Sequence, residues 1–115
     1  MSEARARDPD PGPVFAALGD RTRLSLLSRL SDGEARSIAK LSADARITRQ
    51  AVTKHLHVLQ AAGLVTRRRV GRESRFAYRP EPVEQARSYL EEVSAQWDQA
   101  IGRLRALVEG DGLSG

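Results

Sequence analysis

The chain contains no cysteine, which removes disulfides, thiolate metal sites and thiol nucleophiles and is compatible with a cytoplasmic setting. Long apolar runs are missing as well, so no segment reads as a membrane span. The opening stretch MSEARARDPDPGP has charges and prolines but no apolar h-region, so a secretory signal is not expected there. Catalytic constellations are equally absent. There is no nucleophile with a base and an orienter, no glycine-rich phosphate loop and no carboxylate pair among apolar neighbours, so neither an enzyme nor a cofactor is expected. Finally, no Asp or Glu occurs between Ile47 and Val70.

That last gap marks where positive charge gathers. Residues 1–45 are balanced, with seven basic and seven acidic side chains. Residues 46–79 carry nine basic side chains against Glu73 alone, a local charge of +8. Residues 80–115 carry three basic and seven acidic ones, or −4, for a chain total of +4. Charge concentrated on a third of a 115-residue chain is the footprint expected for a polyanionic partner. The length itself suits one domain with one modest core.

The stretch from Ile47 to Val65 organises the rest. At 100° per residue, Ala51, Val52, His55, Leu56, Leu59 and Ala62 fall on one arc that would face a core. Arg49, Gln50, Thr53, Lys54, His57 and Gln60 fall on the opposite arc, all able to donate to phosphates or base edges. Thr48 fits the N-cap and Gly63 the left-handed C′ position of this helix. His55 and His57 lie about 200° apart around it, so the two cannot share an ion and no metal site is expected.

Around it the chain reads in order. Residues 1–12 are polar and rich in Pro and Gly, a disordered tail. A winged helix-turn-helix domain is expected over 13–109. Pro13 opens a first helix, Val14–Leu18, and Asp20 caps a second, Arg21–Ser31, with Leu24, Leu27 and Leu30 at i, i+3 and i+6. Ser37–Ala43, a turn and Thr48–Ala62 make the helix-turn-helix, over 37–62. Leu64–Val70 and Arg75–Arg79, joined by Gly71-Arg72-Glu73-Ser74, make a β-hairpin wing over 64–79. A long helix over 83–109 follows, with Val83, Ala86, Leu90, Val93, Trp97, Ala100, Leu104 and Leu107 at 3-4 spacing. This coiled-coil seam is too long for so small a domain to cover, and a second copy of the chain is the simplest partner. Residues 110–115 are a tail. The fold class is therefore mainly α with a small β-hairpin, its last helix serving dimerisation.

With these elements in place, residues 14–79 resemble the ArsR-type (arsenic-repressor-like) winged helix-turn-helix regulators. The resemblance rests on LGDRTRLSLLSRL (18–30), SIAKLS (37–42) and TRQAVTKHLHVLQAAGLVTRRRVGRESRFAY (48–78), with TKHLHVLQAAGLV its most specific core. It implies a dimer built from the first and last helices, a recognition helix in the major groove, a wing on the flanking backbone, and repression that an effector relieves. One departure stands out. The third helix has no cysteine and the last no histidine, where metal-sensing members hold their ion. The chain reads as a metal-free branch.

The expected DNA-binding set is Thr48, Arg49, Gln50, Thr53, Lys54, His57, Arg67, Arg69, Arg72 and Arg75, with Arg49 suited to guanine and Gln50 to adenine. Arg72, at the hairpin tip, leads the wing. Arg21 and Arg23 fit either a backbone contact or packing against the acidic last helix. The expected dimer interface is Val14 and Phe15 with Leu90, Val93, Trp97, Ala100 and Leu104. The reading is a homodimeric, cytoplasmic repressor on an inverted-repeat operator in double-stranded DNA, without membrane association. Two alternatives are a winged-helix protein-interaction module and a regulator sensing a metal through oxygen ligands. Operator, targets and effector are not legible.

Overall fold

A computed structural model of the chain describes residues 10–114. Residues 1–9 of the expected N-terminal tail, and Gly115, lie outside them. Helix α1 spans Gly12–Leu18 and α2 Arg21–Leu30. Strand β1 (Arg36–Ser37) leads into α3 (Ile38–Ala45), and α4 (Arg49–Ala61) follows. Strands β2 (Val65–Val70) and β3 (Glu73–Tyr78) precede α5 (Glu81–Ser114). Thus α1 begins inside the stretch read as a tail, and α5 continues to Ser114 through the second one. No proline or capping residue interrupts α5, and its glycines are tolerated without a break.

Local chemistry explains the boundaries. Asp20 caps α2 by accepting from the Arg23 N–H at 3.0 Å, and Ser37 caps α3 by accepting from the Lys40 N–H at 3.1 Å. The Arg23 N–H bond is also the main reason the Asp20 carboxyl sits below the ordinary carboxylate range. Between α3 and α4 the chain reverses at Arg46, which adopts the left-handed conformation at φ 57°. The Ser42 hydroxyl donates to the Ile47 carbonyl across that turn.

The sheet has three antiparallel strands in the order β1-β3-β2, one more than the expected hairpin. Arg36 pairs with Phe76 and Ser37 with Arg75, so β1 ties the entry of α3 to the wing. Two residues cannot display an alternating pattern, and this strand forms only because β3 offers its free edge. The hairpin turn is also shorter than expected. Val70 pairs with Glu73, leaving Gly71 and Arg72 as the whole turn, with Gly71 at φ 62° in the first turn position. A two-residue hairpin turn favours glycine there because an L side chain resists positive φ.

The core joins all the helices to the sheet. Leu26, Leu30, Leu41, Leu56, Leu59 and Leu64 are fully enclosed, with Val52, Val65 and Phe76 beside them. On α4 the core-facing arc is as expected at Val52, Leu56 and Leu59, while Ala51, His55 and Ala62 are half-buried. On α2 the buried set is Leu26, Leu27 and Leu30, and Leu24 is 48% exposed. Among the described residues of α5, Ala86 is the one that is buried.

Candidate nucleic-acid interface

Helix α4 is held rigidly at both ends. The Thr48 hydroxyl accepts from the Ala51 N–H at 3.1 Å. At the other end Gly63, at φ 77°, donates to the Gln60 carbonyl and Leu64 to the Leu59 carbonyl, both at 2.9 Å. This paired closure is the Schellman arrangement, which lets the chain turn directly into β2. Between the caps, Arg49, Gln50, Lys54 and His57 are exposed, and Thr53 is half-buried with its hydroxyl donating to the Arg49 carbonyl at 2.7 Å. Thr48 and Thr53 thus each use one hydrogen-bonding site of their hydroxyls on the helix, while the side chains of Arg49, Gln50, Lys54 and His57 make no such bond among the described residues.

The wing sorts its arginines by register. Arg67 faces Phe76 across the ladder and Arg69 faces Ser74, so these two share one face of the sheet. Arg68 stands directly opposite Arg75 on the other face. Arg75 therefore does not join Arg67 and Arg69, and Arg68, absent from the expected set, is its cross-strand neighbour. The missing signal was pairing register, which a hairpin sequence alone does not fix when the turn length is open. Arg75 is occupied by Glu73 at 2.7 Å, and Arg69 donates to the Gly71 carbonyl at 3.4 Å. Among the described residues, Arg49, Lys54, Arg67, Arg68 and Arg72 make no ion pair within the chain. Their charge is available to an outside anion.

Arg23 packs against α1 and α4 and not against the acidic last helix. Its Nε donates to the Ala17 carbonyl at 2.7 Å and its Nη2 to the Ala16 carbonyl at 3.3 Å, closing the C-terminal end of α1. Its Nη1 lies 3.4 Å from His55 Nδ1, the ring nitrogen that also stands 3.9 Å from Asp20 Oδ2. One side chain of α2 thereby links α1 to the inner face of α4. Arg36 does the same for α2, donating to the Arg29 carbonyl at 2.6 Å while pairing with both Asp32 carboxylate oxygens at 2.9 and 2.7 Å.

The expected dimer residues divide. Val14 is 6% exposed and packs within this chain's own core. Phe15 is half-buried, its ring 6.2 Å from that of Tyr89 on α5. Leu90, Trp97 and Leu104 are 52%, 65% and 61% exposed, and Val93 and Ala100 are half-buried. Tyr89, Ile101 and Val108, missed by the strict 3-4 count, are also exposed and widen the stripe. Among the described residues no helix is long and apolar enough to cross a membrane, and no three His, Cys, Asp or Glu side chains gather as metal ligands would.

The profile of a family described as a helix-turn-helix domain matches residues 18–68. The HTH-type transcriptional regulator YuzN of Bacillus subtilis is 41% identical over 76 residues, covering 61% of this chain and 83% of that protein. The structure of an ArsR-like transcriptional regulator from a Rhodococcus species superposes with a TM-score of 0.76 at 36% identity, over 84% of this chain and 91% of that one. A homodimeric winged helix-turn-helix DNA-binding domain from Mycobacterium bovis shares the fold, with a TM-score of 0.59 at 24% identity over 74% of this chain and 78% of that one.

Proposed function

The chain belongs to the ArsR-like winged helix-turn-helix transcriptional regulators, a non-enzymatic DNA-binding class, and we propose that it works as a homodimeric repressor on an inverted-repeat operator. The observation that carries this is the carboxylate-free outer face of α4, lying beside a wing whose arginines are mostly unpaired. Phosphate contacts from Arg67, Arg69 and Arg72 supply affinity, and Gln50, Lys54 and His57 meet the major groove. Arg49 and Arg75 complete the set, and Thr48 and Thr53 hold the helix that presents it.

Dimerisation follows from the apolar stripe of α5, which the chain leaves in water from Leu90 to Val108. The M. bovis neighbour of the same fold is homodimeric, which supports the same arrangement here. Pairing fixes the distance between two α4 helices and with it the spacing of the half-sites, about 34–36 Å for successive major grooves. No metal enters this reading, and the setting is cytoplasmic.

Genome-wide mapping of bound sites, with transcript levels measured after deletion of the gene, tests the proposal. Inverted repeats upstream of genes whose transcripts rise on deletion are expected. Transcripts that fall would make the protein an activator, and binding without any repeat would remove the symmetric dimer.

A further inference from the structure

A cleft separates α4 from the wing tip. It is an open cleft of about 630 Å³, lined by Arg49 and Thr53 of α4, by Arg72, Glu73 and Ser74 of the wing, and by Ser37, Ile38 and Ala39. Its charge is unbalanced. Glu73, the carboxylate in it, is occupied by Arg75 at 2.7 Å. Arg49 and Arg72 make no ion pair among the described residues. Both stand on fixed backbone: Arg49 is the first residue of α4, its carbonyl held by Thr53, and Arg72 sits in the two-residue turn. Two guanidiniums without an ion pair, brought to one cleft by different elements, offer matched donors to a single anion.

The shape of duplex DNA says which anion. A helix in a major groove and a wing on the flanking minor groove straddle the sugar–phosphate strand dividing the two. That strand must cross the gap between α4 and the wing. We propose that the cleft seats one phosphodiester of this strand, clamped by Arg49 from the helix and by Arg72 from the wing. The inference rests on α4 and the wing forming the DNA-binding face. It also reassigns Arg49 from guanine reading to backbone holding, which leaves sequence choice to Gln50, Lys54 and His57.

The test uses the full chain and two duplexes of equal length, one selected from a random-sequence pool by the wild-type protein and one of random sequence. Wild type, Arg49→Ala, Arg72→Ala and the double variant are titrated by fluorescence anisotropy across a range of salt. Each single change should weaken both duplexes by the same factor, about tenfold, and lower the log–log salt slope by about one. The double variant should lose less than the product of the two losses, because either arginine alone leaves the phosphate half-held. A neutral methylphosphonate walked along the selected duplex should cancel both effects at one shared position. An Arg49→Ala loss confined to the selected duplex would make Arg49 a base reader and overturn the clamp. So would losses that multiply, or two arginines answering to different methylphosphonates. A wild type that binds neither duplex would instead overturn the DNA-binding face itself, and the clamp with it.

Discussion

Gln50 is the residue on which sequence choice turns most simply. It is exposed on α4, and its amide can donate and accept at once, as the adenine edge requires. Gln50→Ala should cost roughly 1–3 kcal/mol on the selected duplex and little on random sequence. Equal losses on both would show a backbone contact. Asp32 is held well below the ordinary carboxylate range, first by its side-chain bond to Arg36 and next by the Glu34 N–H. A depressed carboxyl contributes stability above its unfolded value, about 3.9, and loses it only as the pH falls through the lower folded one. Thermal melts of wild type and Asp32→Asn should therefore differ by a steady margin from neutral down to about pH 5. That margin should shrink below about pH 4. A margin that already collapses near neutrality would mean that another group controls it.

At the scale of elements, the wing depends on its turn. Gly71 holds a positive φ that an alanine resists, and nothing crowds the place where its Cβ would stand, so the cost is conformational alone. Gly71→Ala should lower stability by about 1 kcal/mol in urea unfolding. It should also weaken DNA binding through Arg72, with α4 unaffected in its sequence preference. A stability equal to wild type would show that the turn relaxes into another form. The inner contacts of α4 answer to a different element. Through Arg23, α2 grips the end of α1 and touches His55, so the recognition helix is seated on the helix that carries Phe15.

For the whole molecule the deciding feature is α5. Its 34 residues extend about 51 Å at an α-helical rise, far past the core that buries Ala86. Trp97, 65% exposed in one chain, lies midway along the uncovered stripe. If two copies bury it, Trp97→Ala should cost on the order of 3–5 kcal/mol of dimer stability. The variant should then sediment as a monomer and lose operator binding without touching a DNA contact. A monomeric wild type, or a variant still dimeric at micromolar concentration, would remove α5 from the interface.

Sequence alone determined whatever depends on period, caps and charge. The 3.6-residue arc of α4, its Thr48 and Gly63 ends, the heptad of α5 and the +8 block all follow from near neighbours along the chain. Those interactions are the same in any fold that keeps the helices. Tertiary structure decided what depends on distant residues meeting. Strand β1 exists only because β3 passes Arg36 and Ser37. Arg68 faces Arg75 because a two-residue turn fixes the register. Val14 packs into the core, and Arg23 meets the carbonyls of α1 and the ring of His55. Arg49 and Arg72, 23 positions apart in sequence, line one cleft. In each case the energy lies in a contact between segments, and a linear pattern carries the residue types for that contact but not the geometry that brings them together.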